Sequence, residues 1–332
     1  MRIGVNAGNR FWSVYNDAAR GRLAALGAPV DSVPADRELT DADAARLIAG
    51  SDIVVGTWGT RPFTRELLDA APNLKLVVYA AGTVKHFVTD ELVARGITVC
   101  SAVHINARPV AEFVLGLILT SLKGLHRLSS RVRNEGPRGW RRDEASAPGY
   151  YGSTVGLVGL GRVSRILIAL LAPYDIHILV EDPYLSESEA AALSVTKATL
   201  DQIMERCDVV SLHHADVEPN WGIINDRTLA LMRDGTTLIN TARGRLIDEA
   251  ALARALETRD IVAYLDVTHP EPPAEGHPFY RLANCILTPH VAGSHAREIE
   301  RMGDWAVDQV DAFMRGEPVD GIVDLSRLDS IA

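Results

Sequence analysis

Apolar residues fall along this chain in two alternating rhythms. Short runs at Ile3–Asn6, Ile53–Gly56, Leu76–Tyr79 and Ile97–Cys100 read as buried strands. Between them, apolar positions three or four apart predict helices over Asp17–Leu26, Thr64–Ala70 and Val88–Arg95, the first and last closing at Gly27 and Gly96. Val30–Val33 is predicted as another short strand. Thr40 is placed to cap a helix through Ala49, with Asp41 and Asp43 where the helix dipole favours negative charge. Strand and helix in strict alternation predict parallel βαβ units and an open α/β sheet. A longer helical pattern then runs from near Asn106 to about Arg133, with Val110, Phe113, Val114, Leu117 and Ile118 at helical spacing. Asn134–Gly152 is rich in Gly and Pro, carries Trp140, Arg141 and Arg142, and is expected as a long loop with a task of its own. A second α/β series starts at Thr154 and ends near Leu287. A helix over Arg297–Met314 and a polar tail complete the pattern.

Composition narrows this picture. The chain has 332 residues, room for about two domains, with 47% hydrophobic and 23% charged residues, which excludes disorder and collagen-like sequence. A net charge of −9 argues against non-specific nucleic-acid binding, where a basic surface supplies most of the affinity. The longest contiguous apolar runs, Phe113–Thr120 and Ile166–Ala172, fall short of the roughly 20 residues that span a bilayer. The first residues read as a strand rather than a secretory signal. Cys100, Cys207 and Cys285 are isolated among apolar neighbours, so buried, reduced thiols and a cytoplasmic setting are expected.

The sharpest local pattern is the run from Val155 to Ser164. A buried strand enters a Gly-x-Gly-x-x-Ser turn and then a helix predicted over Arg165–Leu171. Gly159 permits the tight turn, and Gly161 lets the backbone approach a pyrophosphate whose charge rests on the helix N-terminus. The next strand, Ile176–Asp182, ends in acid roughly twenty residues past Gly161, where a carboxylate accepts from the adenosine ribose 2′-OH and repels a 2′-phosphate. No Arg follows Asp182, so NAD is favoured over NADP. A ligand-free turn, and a capping role for Asp182 before Pro183, are the plainer alternatives; Glu181 is the second candidate for the ribose.

Three ionisable residues stand at the ends of later predicted strands: Arg243 after Leu238–Ala242, Glu271 past Ile261–Asp266, and His290 after Cys285–Pro289. In open α/β sheets the ligand crevice lies at the carboxyl ends of the strands. Arg offers a planar fork to a carboxylate, His gives or takes a carbinol proton, and a partner carboxylate stabilises imidazolium. Taken singly, each has a plainer reading: a surface cation, a loop histidine, a solvated acid.

Together with Asn240–Gly244, Leu265–Pro272, Thr288–Gly293 and Val110-Ala111-Glu112, the glycine turn resembles the D-isomer-specific 2-hydroxyacid dehydrogenase family over nearly the whole chain. The resemblance implies a Rossmann-type parallel-sheet cofactor domain at 104–293. It also implies a discontinuous, flavodoxin-like substrate domain at 1–103 and 294–332. It casts His290 as general acid/base, Glu271 as its partner and Arg243 as substrate anchor, with Ala81, Gly82 and Thr83 meeting the substrate carboxylate through backbone N–H groups. Gly159, Gly161, Arg162, Val163, Asp182, His213, Thr241, Ala242 and Asp266 would contact NAD, Asp266 standing near the nicotinamide. A small 2-oxo or 2-hydroxy acid in an interdomain cleft, and a homodimer through the cofactor domain with Asn134–Gly152 as its arm, also follow. So does a length too short for the regulatory domain of many phosphoglycerate dehydrogenases.

Two departures stand out. Ser164 replaces the third Gly, and the family's Pro-containing turn after His213 reads His214-Ala215-Asp216-Val217-Glu218-Pro219-Asn220. Glu271 argues against the formate dehydrogenase branch. The rivals are a dinucleotide-sensing corepressor-like protein and a phosphonate dehydrogenase on the same scaffold. Pocket residues around Trp58 and Tyr79–Lys85 are expected to set substrate size, with Trp58 as an apolar wall or simply core.

Overall fold

The computed structural model describes residues 1–27, 32–140 and 147–330. The chain divides into two compact units, one of Met1–Asn106 with Ser294–Leu328 and one built on Ala107–Gly293.

The first unit holds a four-stranded parallel sheet in sequential order: β1 (Ile3–Asn6), β2 (Ile53–Gly56), β3 (Leu76–Tyr79) and β4 (Thr98–Ser101). Three of the four strands are buried along their whole length, as a parallel sheet covered on both faces requires. On one face lie Phe11, Tyr15, Leu23, Met302, Trp305 and Val310, brought by the N-terminal helices and Glu298–Met314. On the other lie Leu47, Phe63, Leu68 and Phe87. Thr40, Thr64 and Thr89 each cap a helix, and Thr40 forms a reciprocal capping box with Asp43, so those boundaries are set by local hydrogen bonding. Half of the predicted strand Val30–Val33 lies outside the described residues.

The second unit carries seven parallel strands: β5 (Ser153–Val158), β6 (Ile176–Glu181), β7 (Thr196–Lys197), β8 (Val209–Leu212), β9 (Thr237–Asn240), β10 (Val262–Leu265) and β11 (Cys285–Leu287). Their order is β11-β10-β9-β8-β5-β6-β7. The chain leaves β5 toward β6 and returns beyond it at β8, so the switch point of this doubly wound sheet lies between β5 and β8. Register places Leu287, Leu265, Asn240, Leu212, Val158 and Glu181 in one row across six strands. Whatever follows those residues emerges on one edge.

The long helix differs from its expected form. It is two helices, Val103–Leu122 and Leu125–Glu135, parted at Gly124 with φ 61°. Positive φ is open to glycine at little cost, and one such residue ends the hydrogen-bond ladder. The segment expected as a loop begins inside the second helix and continues as a 3₁₀ turn, Gly136–Gly139; Arg141 and Arg142 lie outside the described residues. By length and composition Val103–Leu122 is long and apolar enough to cross a membrane, which contiguous runs did not reveal because Arg108 and Glu112 interrupt them. Its Ala111, Val114, Ile118 and Leu122 are buried in the core of the second unit. All three cysteines are free and buried, and burial pushes each thiol up to about 12.

Candidate active site

β5 ends at Val158 and the chain turns at Gly159 with φ 104°. A Cβ there would stand 2.7 Å from the His214 amide nitrogen, so only glycine lets the segment after β8 pass. The following helix begins at Arg162, three residues earlier than its expected start, with Gly161 as its N-cap and no side chain capping it. Its first amides therefore stay open to an anion, with Arg162 exposed and Val163 half-buried in that turn. Ser164 is fully buried, and its hydroxyl donates to the Gly159 carbonyl at 2.7 Å. The departure at the third glycine position thus closes the turn rather than loosening it.

Asp182 also serves the turn. Its two carboxylate oxygens accept from the amides of Leu160 (2.7 Å) and Tyr184 (2.8 Å). This is the capping role anticipated as the alternative. Each oxygen keeps a further lone pair for a ribose hydroxyl.

Across the switch point stand two unsatisfied groups. His213 Nε2 and Thr241 Oγ1 are buried polar atoms with no hydrogen-bond partner among the described residues. Burial, with His214 beside it, lowers the His213 pKa to about 3, so the ring is neutral at physiological pH. Buried polar atoms left unpaired at strand ends fit a site that a polar ligand completes. Together with the open helix terminus they suit a dinucleotide.

One contact was invisible in the sequence. His214 Nε2 lies 2.7 Å from Glu181 Oε2, with both side chains largely buried, joining the ends of β8 and β6 over Gly159. This pair braces the turn that follows His213. His214→Ala is expected to weaken NADH binding about tenfold by calorimetry, since a loosened turn no longer presents His213 at fixed geometry. Unchanged affinity would count against the brace.

Farther along the edge, β9 delivers Arg243. Buried Asn240 shapes that turn, donating to the Arg243 carbonyl (2.8 Å) and accepting from the Ala242 amide (3.0 Å). Gly244 packs on the β10 loop so closely that a Cβ would lie 2.1 Å from the Thr268 carbonyl carbon. Arg243 is half-buried, bonds through Nη1 to the Ala242 carbonyl at 2.6 Å, and has no carboxylate partner among the described residues. A guanidinium held this way retains donors for an anionic ligand.

His290 and Glu271 meet: Nδ1 and Oε1 are 2.7 Å apart. The carboxylate only accepts, so Nδ1 carries the proton and Nε2 is left free. Neither makes a hydrogen bond or ion pair with Arg243. His290 has φ 54°, an uncommon conformation for a residue with a side chain. Buried Asp266 holds it there: its carboxylate accepts from Thr288 Oγ1 (2.6 Å), the Val291 amide (2.8 Å) and the Ala292 amide (2.9 Å), and its carbonyl accepts from the His290 amide (3.0 Å). Asp266, expected near the nicotinamide, also braces the histidine loop.

In the first unit, Ala81 is buried while Gly82 and Thr83 are half-exposed. Ser101 Oγ donates to the carbonyls of Ala81 (3.0 Å) and Gly82 (2.5 Å). The amides of Gly82 and Thr83 donate to no acceptor among the described residues.

Residues 115–292 match the model of the D-isomer specific 2-hydroxyacid dehydrogenase NAD-binding domain. The chain belongs to this family. A glyoxylate reductase of Thermofilum pendens is 33% identical over 256 residues, 76% of this chain and 75% of that protein. A D-3-phosphoglycerate dehydrogenase of Mycobacterium leprae is 31% identical over 94% of this chain and 58% of its own length. The chain spans roughly half of the mycobacterial phosphoglycerate dehydrogenases it matches, 49% in another case. Among solved structures, the TT0316 protein of Thermus thermophilus superposes with a TM-score of 0.77 at 28% identity, covering 97% of this chain and 100% of that one. The family's NAD-binding domain is the seven-stranded unit, and the glycine turn, Arg243, Glu271 and His290 all lie within it.

Proposed function

We propose that this protein is an NAD-dependent D-2-hydroxyacid dehydrogenase, interconverting a small 2-oxo acid and its 2-hydroxy acid. The observation that carries this reading is the His290–Glu271 pair, 2.7 Å apart on the sheet edge that also bears the glycine turn. Gly159, Gly161, Arg162 and Val163 hold the pyrophosphate, Asp182 the adenosine ribose, and His213, Thr241 and Ala242 the nicotinamide half. NAD(H), when bound, supplies or accepts the hydride at C2. In reduction, His290 gives its Nε2 proton to the carbonyl oxygen as negative charge grows there, with Glu271 holding the ring through Nδ1. In oxidation, neutral His290 takes the hydroxyl proton. Arg243 offers its fork to the substrate carboxylate, and in the first unit the amides of Gly82 and Thr83 are donors available to an anionic group.

The test is NADH oxidation by purified protein with a panel of 2-oxo acids. No turnover above a His290→Ala control overturns the reading. Asp182→Ala is expected to narrow the NAD over NADP preference about tenfold, because the 2′-phosphate no longer meets a carboxylate; an unmoved ratio points to Glu181 or to neither.

A homodimer through the cofactor unit is part of this reading. No residue of Leu125–Glu135 is fully buried among the described residues. With Trp140 it frames an open groove lined by Leu125, Leu128 and Val132, and Leu125 and Trp140 are 57% and 80% exposed. Contiguous exposed apolar surface of this kind marks an interaction site. Light scattering is expected to show a dimer for the native chain and a monomer for Leu125→Asp/Trp140→Ala; a native monomer refutes it.

A further inference from the structure

β2 delivers Thr57-Trp58-Gly59-Thr60 to the carboxyl edge of the four-stranded sheet, and β3, paired beside it with Gly56 level with Tyr79, delivers the Ala81–Val84 loop to the same edge. The two loops are tied together. Thr57 Oγ1 donates to the Ala80 carbonyl at 3.0 Å, and Thr60 Oγ1 donates to the carbonyls of Asn6 and Thr57, each at 2.7 Å. Gly59, at φ 85°, packs on Gly8, where a Cβ would stand 3.5 Å from the Gly8 Cα. On this fixed backbone the Trp58 side chain is not core: it remains 36% exposed. Trp12 and Trp221 commit their indole N–H to hydrogen bonds and Trp305 packs on His104, whereas the Trp58 ring has no ring, cation or hydrogen-bond partner among the described residues. An open indole on a loop hydrogen-bonded to the loop that carries two free amides offers the two components of a ligand wall, apolar surface and a few placed donors.

We infer that Trp58 selects the substrate: a 2-oxo acid whose carboxylate takes the amides of Gly82 and Thr83 lays an apolar substituent on C3, branched aliphatic or aromatic, against the indole. This rests on the dehydrogenase reading above. The charges nearby agree. Arg61, three residues on, is committed through Nε to Asp41 at 2.6 Å. Exposed Arg10 and Lys85 are the cations on this edge that would serve a phosphorylated substituent instead, and they define the opposing result.

The experiment compares kcat/KM for glyoxylate, 4-methyl-2-oxopentanoate, phenylpyruvate and 3-phosphohydroxypyruvate in the native enzyme, Trp58→Ala and Trp58→Phe. The native enzyme is expected to prefer the two apolar acids. Trp58→Ala should lose about 30-fold on them, mostly in KM, and less than about threefold on glyoxylate, which has no substituent to lose. Trp58→Phe should keep the preference within about threefold, and NADH affinity should not move in either variant. A native preference for the phosphorylated acid that falls on Arg10→Ala or Lys85→Ala overturns the inference. So does an equal loss on every substrate in Trp58→Ala. Turnover of glyoxylate without an apolar preference sinks this inference alone; no turnover of any acid sinks the dehydrogenase reading as well.

Discussion

His290→Ala is expected to lower kcat for 2-oxo acid reduction by about 10³ to 10⁴, while NADH affinity stays within about twofold. The size follows from what the imidazole does. Hydride arrival at C2 leaves negative charge on the carbonyl oxygen, and without a positioned acid that charge must be met by water. The variant should fold, because the loop is held by Asp266 through Thr288, Val291 and Ala292 rather than by the histidine ring. Glu271→Gln keeps a hydrogen-bonding group beside Nδ1 and removes the charge. It should cost about 10- to 100-fold in reduction, since an amide can present either its oxygen or its NH2 group to Nδ1 and no longer fixes the tautomer. Stopped-flow reduction rates with a parallel NADH titration check both. Turnover of His290→Ala within about tenfold of native would remove the ring from the chemistry.

Arg243→Ala is expected to lower kcat/KM by about 10² to 10⁴, as two charge-assisted hydrogen bonds of about 1.5–3 kcal/mol each disappear. The loss should fall on both KM and kcat, because the same fork orients the carbonyl for hydride arrival. Arg243→Lys should recover little, since an ammonium has no planar pair of donors. NADH binding by calorimetry separates an anchor from a structural role. Asn240 holds the turn through the Arg243 carbonyl and the Ala242 amide, so the backbone should survive truncation of the side chain. Near-native kcat/KM in Arg243→Lys would show that a point charge suffices and that the fork is not the anchor.

Some of this site was legible because its rules are local. Thr40, Thr64 and Thr89 name helix starts through hydrogen bonds spanning three residues. Gly159 marks a turn that only glycine tolerates, and Arg243 and His290 follow apolar runs that end on a sheet edge. Other features resisted. Gly124 sits in a periodic pattern that a continuous helix also satisfies, and only its positive φ shows the break. Nothing around His214 points to Glu181, a contact made across a glycine with no side chain to intervene. The place of Asp266 in its motif says nothing about which backbone amides curl around it.

The order of amino acids was enough to dictate the alternation of parallel βαβ units, the glycine turn after β5 and the presence of residues able to carry acid–base chemistry. Period, capping and glycine freedom act over a few residues. Which of these groups meet was settled by long-range packing. Burial of both sheet faces sets the strand register, and that register put Glu271 and His290 2.7 Å apart, bound His214 to Glu181, and left Trp58 open on a loop tied to Ala80. Those outcomes depend on strands far apart in the chain becoming neighbours, which no local pattern encodes.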